Sequence, residues 1–147
     1  MSIDWGVVPS QPEEPGFREW LTTAGLDIPL SAGRFPTLEE LITVLQSFEG
    51  LPIRQEGYSA SLYSISLGEP RSDQYAHILG GVQNSHFQFH FFGSDNQNIT
   101  MMEILKKLSG ACGPFILYEK NAAIPVIIET STNLEEALED WFRRRQQ

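Results

Sequence analysis

The sequence predicts an α+β domain: a mostly antiparallel sheet of about five strands with helices packed mainly on one face, in the order ααβββαββα. Three observations carry this expectation. Apolar residues recur with a helical period in the first third of the chain, with a period of two through the middle, and with a helical period again toward the end. The run "HFQFHFF", residues 86–92, alternates, with Phe87, Phe89 and Phe91 on one parity and His86, Gln88 and His90 on the other. Such a strand is packed on one side and wet on the other, as an antiparallel sheet allows. Two helical segments also begin with capping signals, Thr37 followed by Glu40 and Asn133 followed by Glu136.

Residues 1–16, broken by Pro9, Pro12, Pro15 and Gly16, read as an irregular arm from which Trp5, Val7 and Val8 can dock on the core. "FREWLTTA", residues 17–24, spaces Phe17, Trp20 and Leu21 as a short helix, and Gly25 stands where a helix stops. After the breaker-rich "LDIPLSAGRFP", a second helix opens at Thr37 and carries Leu38, Leu41, Ile42, Leu45 and Phe48 as its apolar stripe. "YSASLYSISL" (58–67), "QYAHILGGVQ" (74–83) and "HFQFHFF" follow as strands, and Gly80-Gly81 marks a bulge or a close backbone approach.

"ITMMEILKKLSGACG" returns to helical spacing through Met101, Ile104, Leu105 and Leu108, and Gly113-Pro114 end it. "PFILYEK" and "IPVIIET" form a hairpin across the turn at residues 121–123, with Pro125 placing the last strand at a sheet edge. A final helix after Asn133 buries Leu134, Ala137, Leu138, Trp141 and Phe142. No internal repeat, low-complexity segment or heptad run interrupts this order.

At 147 residues with 41% hydrophobic content, the chain is the size of a single domain, 1–147, able to build a core without staples. It lacks the roughly 18 consecutive apolar residues of a membrane span and a basic, greasy leader, so a soluble protein of the cytoplasm is expected. The single Cys112 has no internal disulfide partner, which fits a reducing compartment. Nineteen acidic against ten basic residues leave a net charge of -9, which repels phosphate backbones and attracts cationic partners; nucleic acid is not an expected ligand.

No catalytic or metal site emerges from the residues, and no cofactor is implied. His86 and His90 originate about 13 Å apart on a strand, whereas both ligands of one zinc must lie about 2 Å from it. Cys112 falls at a helix C-terminus, where exposed carbonyls disfavour a thiolate, so it reads as a buried or half-buried thiol. The serines lack the elbow and the S-x-x-K spacing of nucleophiles, and no phosphate-cradling glycine pattern occurs. "NIT", residues 98–100, reads as the polar start of a helix, and Arg143, Arg144 and Arg145 as complements to a helix dipole and to the acidic run "LEEALED".

Taken together, "HFQFHFF", "MMEILKKLSGACGP", "FILYEK" and "PVIIE" resemble the small α+β immunity proteins of bacterial polymorphic toxin systems, over roughly residues 55–145. The resemblance implies a cytoplasmic, non-enzymatic protein that blocks a cognate toxin, here a basic one, by binding it. It carries no functional residues over. From the residues themselves, the expected partner-binding positions are the polar sheet face, His86, Gln88 and His90, with Tyr63 and Tyr75 nearby. Two other readings stay open: an enzyme or small-ligand protein with His77, His86 or His90 as general base in a pocket between helices and sheet, and an adaptor or assembly subunit using the edge around Pro125. The oligomeric state is not set by the sequence.

Overall fold

The computed structural model describes residues 3–57, 61–83, 86–121 and 124–146. In chain order the elements are β1 (Ile3–Pro9), α1 (Pro15–Thr23), α2 (Leu38–Gln46), β2 (Ile53–Gly57), β3 (Leu62–Leu67), β4 (Ala76–Gln83), β5 (His86–Gly93), α3 (Asn98–Cys112), β6 (Phe115–Glu119), β7 (Pro125–Ile128) and α4 (Leu134–Arg145). A single 3-10 turn, Asp95–Gln97, leads into α3. All strands pair antiparallel in one sheet of order β2-β3-β4-β5-β1-β6-β7.

The α+β class and the four helices are as expected, but the sheet has seven strands, not about five, and the order is βααββββαββα. Both additional strands have physical reasons for escaping a periodicity reading. β1 lies inside the supposed irregular arm, where Gly6 and Pro9 weaken the strand signal; its pairing with β5 and β6 holds it in the sheet interior. Trp5 and Val7 are buried on one side and Val8 packs on the other, so burial on both faces outweighs the local breakers. β2, "IRQEG", is an edge strand with a single apolar residue and shows no alternation to read. The expected strand at 58–67 begins at Leu62; residues 58–60, 84–85 and 122–123 lie outside the described residues.

Parity divides the sheet into two faces. Trp5, Val7, Tyr63, Ile65, Leu67, Ala76, Ile78, Phe89, Phe91, Phe115, Leu117, Val126 and Ile128 point to one of them. There they meet Leu41 and Leu45 of α2, Met101, Met102, Ile104, Leu105 and Leu108 of α3, and Trp141 of α4. The expected capping box of α2 is present, with Thr37 Oγ1 accepting from the Glu40 amide at 3.1 Å and Glu40 Oε1 accepting from the Thr37 amide at 2.9 Å. Phe89 and Phe91 lie beneath the helices as expected. Phe87, at the strand's open end, is partly exposed and rests on Phe35 with ring centroids 4.5 Å apart.

Among the described helices, α1 alone lies on the opposite face. Glu14 caps it, accepting from the amides of Gly16 and Phe17, and Phe17 and Leu21 cover Ile116, with Val8 and Ile127 alongside. This second small core spans β1, β6 and β7 only.

Candidate functional site

Among the described residues, no helix covers the second face of β2 to β5. The parity that sends Tyr63, Ile65, Ile78, Phe89 and Phe91 inward sends Ser64, Ser66, His77, Leu79, Gln88, His90 and Phe92 outward. At the boundary with the α1-covered third stand Asp4 of β1 and Tyr118 of β6, followed by Lys120. The result is a shallow surface of imidazole, amide, hydroxyl and aromatic groups on a rigid antiparallel scaffold. The strand charges on it, Asp4 and Lys120 with Arg54 and Glu56 of β2, cancel, so the chain's acidity resides elsewhere.

Neighbouring groups hold these side chains. His90 Nε2 lies 3.0 Å from Gln88 Oε1, and its Nδ1 lies 3.8 Å from Asp4 Oδ1, while Lys120 Nζ bonds Asp4 Oδ2 at 3.2 Å. Burial, with help from the Lys120 charge, lowers the His90 pKa against the smaller upward pull of Asp4, so the ring is neutral at physiological pH. The Phe92 ring lies between His77 and His90, 5.6 Å from the first and 6.4 Å from the second. His77 Nε2 and Ser64 Oγ are in hydrogen-bond contact across strands at 2.7 Å. Tyr118 lies directly over Gly6, where a Cβ would collide with its ring, and meets Trp20 of α1 edge-on at 5.4 Å. Burial raises the Tyr118 pKa, and Asp4 adds to the effect.

Where the β3–β4 connection meets the end of β5, Tyr75, His77, Phe92, Ser94 and Gln97 line a hollow of about 320 Å³. Gln97 fixes its wall: Nε2 donates to the carbonyls of Pro70 at 3.0 Å and Ser72 at 2.8 Å, and Oε1 accepts from the Ser94 amide at 2.8 Å. Of the five positions expected to bind a partner, Gln88 and His90 stand on the uncovered face and Tyr75 stands at its rim. Burial raises the Tyr75 pKa, against a downward pull from Arg54 and with a smaller upward one from Glu56. His86 is the first residue of β5, paired with Gln83, and its side chain lies outside the described residues.

Tyr63 corrects the grouping. It sits on the helix-covered face, 9% exposed, with its ring across Gly80 and its hydroxyl without a hydrogen-bond partner among the described residues, and burial pushes its pKa up to about 12. Its parity with Ile65 and Leu67, opposite to that of Ser64 and Ser66, is the sequence signal that places it inside. The close approach of Tyr63 also accounts for Gly80, while Gly81, at φ 111°, occupies a backbone region that only glycine adopts readily. Leu79, Phe92, Ser64, Asp4 and Lys120 belong to the uncovered face and carry no motif; cross-strand register alone brings them together.

His77 and His90 turn away from α2, α3 and α4, so neither lies between helices and sheet. Among the described residues no group of three His, Cys, Asp or Glu is placed to hold a metal ion. Cys112 is buried as expected; burial, then Glu40, raises its pKa against Arg34 and keeps it a thiol. The arginines closing α4 behave as local complements: Arg143 and Arg144 pair with Asp140, and Arg145 Nε lies 3.8 Å from Glu119. Pro125 stands in the edge strand β7, and its carbonyl accepts from Arg144 at 2.8 Å. No helix of the described chain is long and apolar enough to cross a membrane. Comparison with family models, with curated proteins and with solved structures finds no match for this chain.

Proposed function

We propose that the chain is a non-enzymatic binding protein that docks a partner protein on the uncovered half of its sheet, and more specifically a bacterial immunity protein that neutralises a cognate basic toxin in the cytoplasm. The uncovered face of β3 to β5 carries this reading. It presents Phe92, Leu79 and His90 for burial and Gln88, His77 and Ser66 for hydrogen bonding, in the mixture of aromatic anchors and polar groups that protein interfaces use. The net charge of -9 lies mostly outside this patch, so it accelerates encounter with a cationic partner while the patch supplies short-range fit. Co-expression of this chain with the product of the neighbouring gene tests the reading. The expected result is rescue of growth by the wild-type chain; cells that die with or without it would overturn the toxin assignment.

One observation favours a second reading. The 2.7 Å contact between Ser64 Oγ and His77 Nε2, next to the hollow at Tyr75, is the geometry a hydroxyl nucleophile and its base adopt. Ser64 is only 3% exposed, which limits its access to any substrate. A metabolite screen by thermal shift discriminates the two readings: a ligand whose stabilisation disappears in Ser64→Ala and His77→Ala would favour the small-ligand protein.

A further inference from the structure

The two edges of the sheet are finished differently. β7 has four residues, starts with Pro125, and carries α4 against it, with Arg144 holding the Pro125 carbonyl. β2 has five residues without proline, is exposed from Arg54 to Gly57, and has β3 as its single strand partner among the described residues. Among the described residues no helix or further strand covers the outer side of β2, and its outward amides and carbonyls can template another strand whose charges complement Arg54 and Glu56.

The ladder parity shows which groups are free. The Gly68 amide donates to the Pro52 carbonyl at 2.9 Å, and the pairs Ile53↔Leu67 through Gly57↔Tyr63 continue from there without a bulge. Hydrogen-bonded pairs alternate in an antiparallel ladder, so Arg54 and Glu56 direct their amides and carbonyls to β3, and Ile53, Gln55 and Gly57 direct theirs outward. The strand "IRQEG" also has a self-complementary charge pattern about its centre, Gln55. If a second copy of β2 is laid antiparallel with Gln55 opposite Gln55, the outward groups of Ile53 meet those of Gly57 in the other copy. Every free donor and acceptor from 53 to 57 then finds a partner. In the same register Arg54 of each copy faces Glu56 of the other, at the closer, non-hydrogen-bonded spacing of about 4.5 Å between Cα atoms.

We propose that β2 is a homodimerisation edge, joining two copies about a two-fold axis at Gln55 into one continuous fourteen-stranded sheet. The axis runs perpendicular to the sheet, so the two uncovered faces lie on the same side and form one surface. The inference does not depend on what binds that surface. A five-residue ladder is small for an interface, so a dissociation constant between about 10 μM and about 1 mM is expected.

Sedimentation equilibrium on the full chain from about 10 μM to about 1 mM tests it. Arg54→Glu and Glu56→Arg each replace two attractive cross-strand pairs by two repulsive ones, and each should weaken the dimer at least about tenfold. One substitution makes the chain more acidic and the other less, so general charge repulsion would move them in opposite directions. Mixing the two single variants restores both attractive pairs and should return dimers, and so should the double variant Arg54→Glu/Glu56→Arg. Gln55→Pro removes an outward amide without touching β3 or the charges and should leave a monomer. A wild-type chain that is monomeric throughout the range, or a dimer indifferent to Arg54→Glu and Glu56→Arg, would overturn the proposal.

Discussion

The two faces of the sheet are made by adjacent residues of the same strands, yet they answer to different physics. On the covered face Ile78, Phe89 and Phe91 are sealed beneath α2, α3 and α4, and volume and apolarity decide which side chains are accepted. On the other face, one residue along, Leu79, His90 and Phe92 remain partly exposed; His90 is held by Gln88, and Phe92 rests against the rings of His77 and His90. A seven-stranded sheet whose second face is covered, among the described residues, over β1, β6 and β7 alone has ordered a surface it does not use for its own core. That contrast is the basis for assigning recognition to β3–β5.

Truncations within β5 should separate the faces most strongly. Phe91→Ala leaves a cavity under the helices and should cost about 3–5 kcal/mol in urea unfolding, whereas Phe92→Ala on the open side should cost about 1 kcal/mol. Equal losses at the two positions would mean that both faces are sealed.

Two glycines sharpen the same contrast. Gly80 lies under Tyr63 on the covered face and Gly6 under Tyr118 on the other, and a methyl group at either would strike the ring above it. Tyr63 is buried and cannot move aside, so Gly80→Ala should destabilise by about 1–3 kcal/mol. The more exposed ring of Tyr118 can swing, so Gly6→Ala should cost less and should broaden or shift the Trp20 signal, since the two rings touch. A Gly6→Ala loss as large as that of Gly80→Ala would show Tyr118 to be as tightly held as Tyr63.

The smallest expected effects are in pH dependence, with a sign for each face. Burial raises the Tyr63 pKa from 10.0 to about 12, so its stabilising contribution is complete below pH 10 and is lost as pH rises toward 12. The loss is at most about 3 kcal/mol and should vanish in Tyr63→Phe. Burial lowers the His90 pKa, so its contribution is present above the unfolded value near 6.5 and is lost as pH falls through the lower folded value. Imidazole titration followed by NMR should place the His90 midpoint below 6.5; a midpoint above it would mean that Asp4 outweighs burial and Lys120.

Where the chemistry is local, the sequence already displayed it. Thr37 with Glu40, Asn133 with Glu136, and the stop at Gly25 each mark a helix end through groups a few residues apart, and the structure has all three. β1 was hidden because its partners lie in β5 and β6, more than eighty residues further along the chain, and no short window contains what stabilises it. β2 was hidden for the opposite reason, since an edge strand exposed on nearly all positions has no apolar alternation to display. The polar parity of Gln88 and His90 is legible along their strand, and Tyr63 alternates in step with Ile65 and Leu67, the signal that sets it on the covered face. The contact of Ser64 with His77 and the grouping of Asp4, His90 and Lys120 depend on register between strands, which residue spacing along one strand does not encode.

The contrast between faces is tested most directly by placing the same charge on neighbouring residues of β4 and measuring urea midpoints for Ile78→Lys and Leu79→Lys side by side. Ile78→Lys would bury an unpaired ammonium beneath the helices and should lower stability by more than about 3 kcal/mol or abolish cooperative folding. Leu79→Lys can extend its amine into solvent and should stay within about 1 kcal/mol of the wild-type chain. A Leu79→Lys protein that unfolds as readily as Ile78→Lys would contradict the account, because it would make the outer face of β3–β5 a second buried core and not a surface open to a partner.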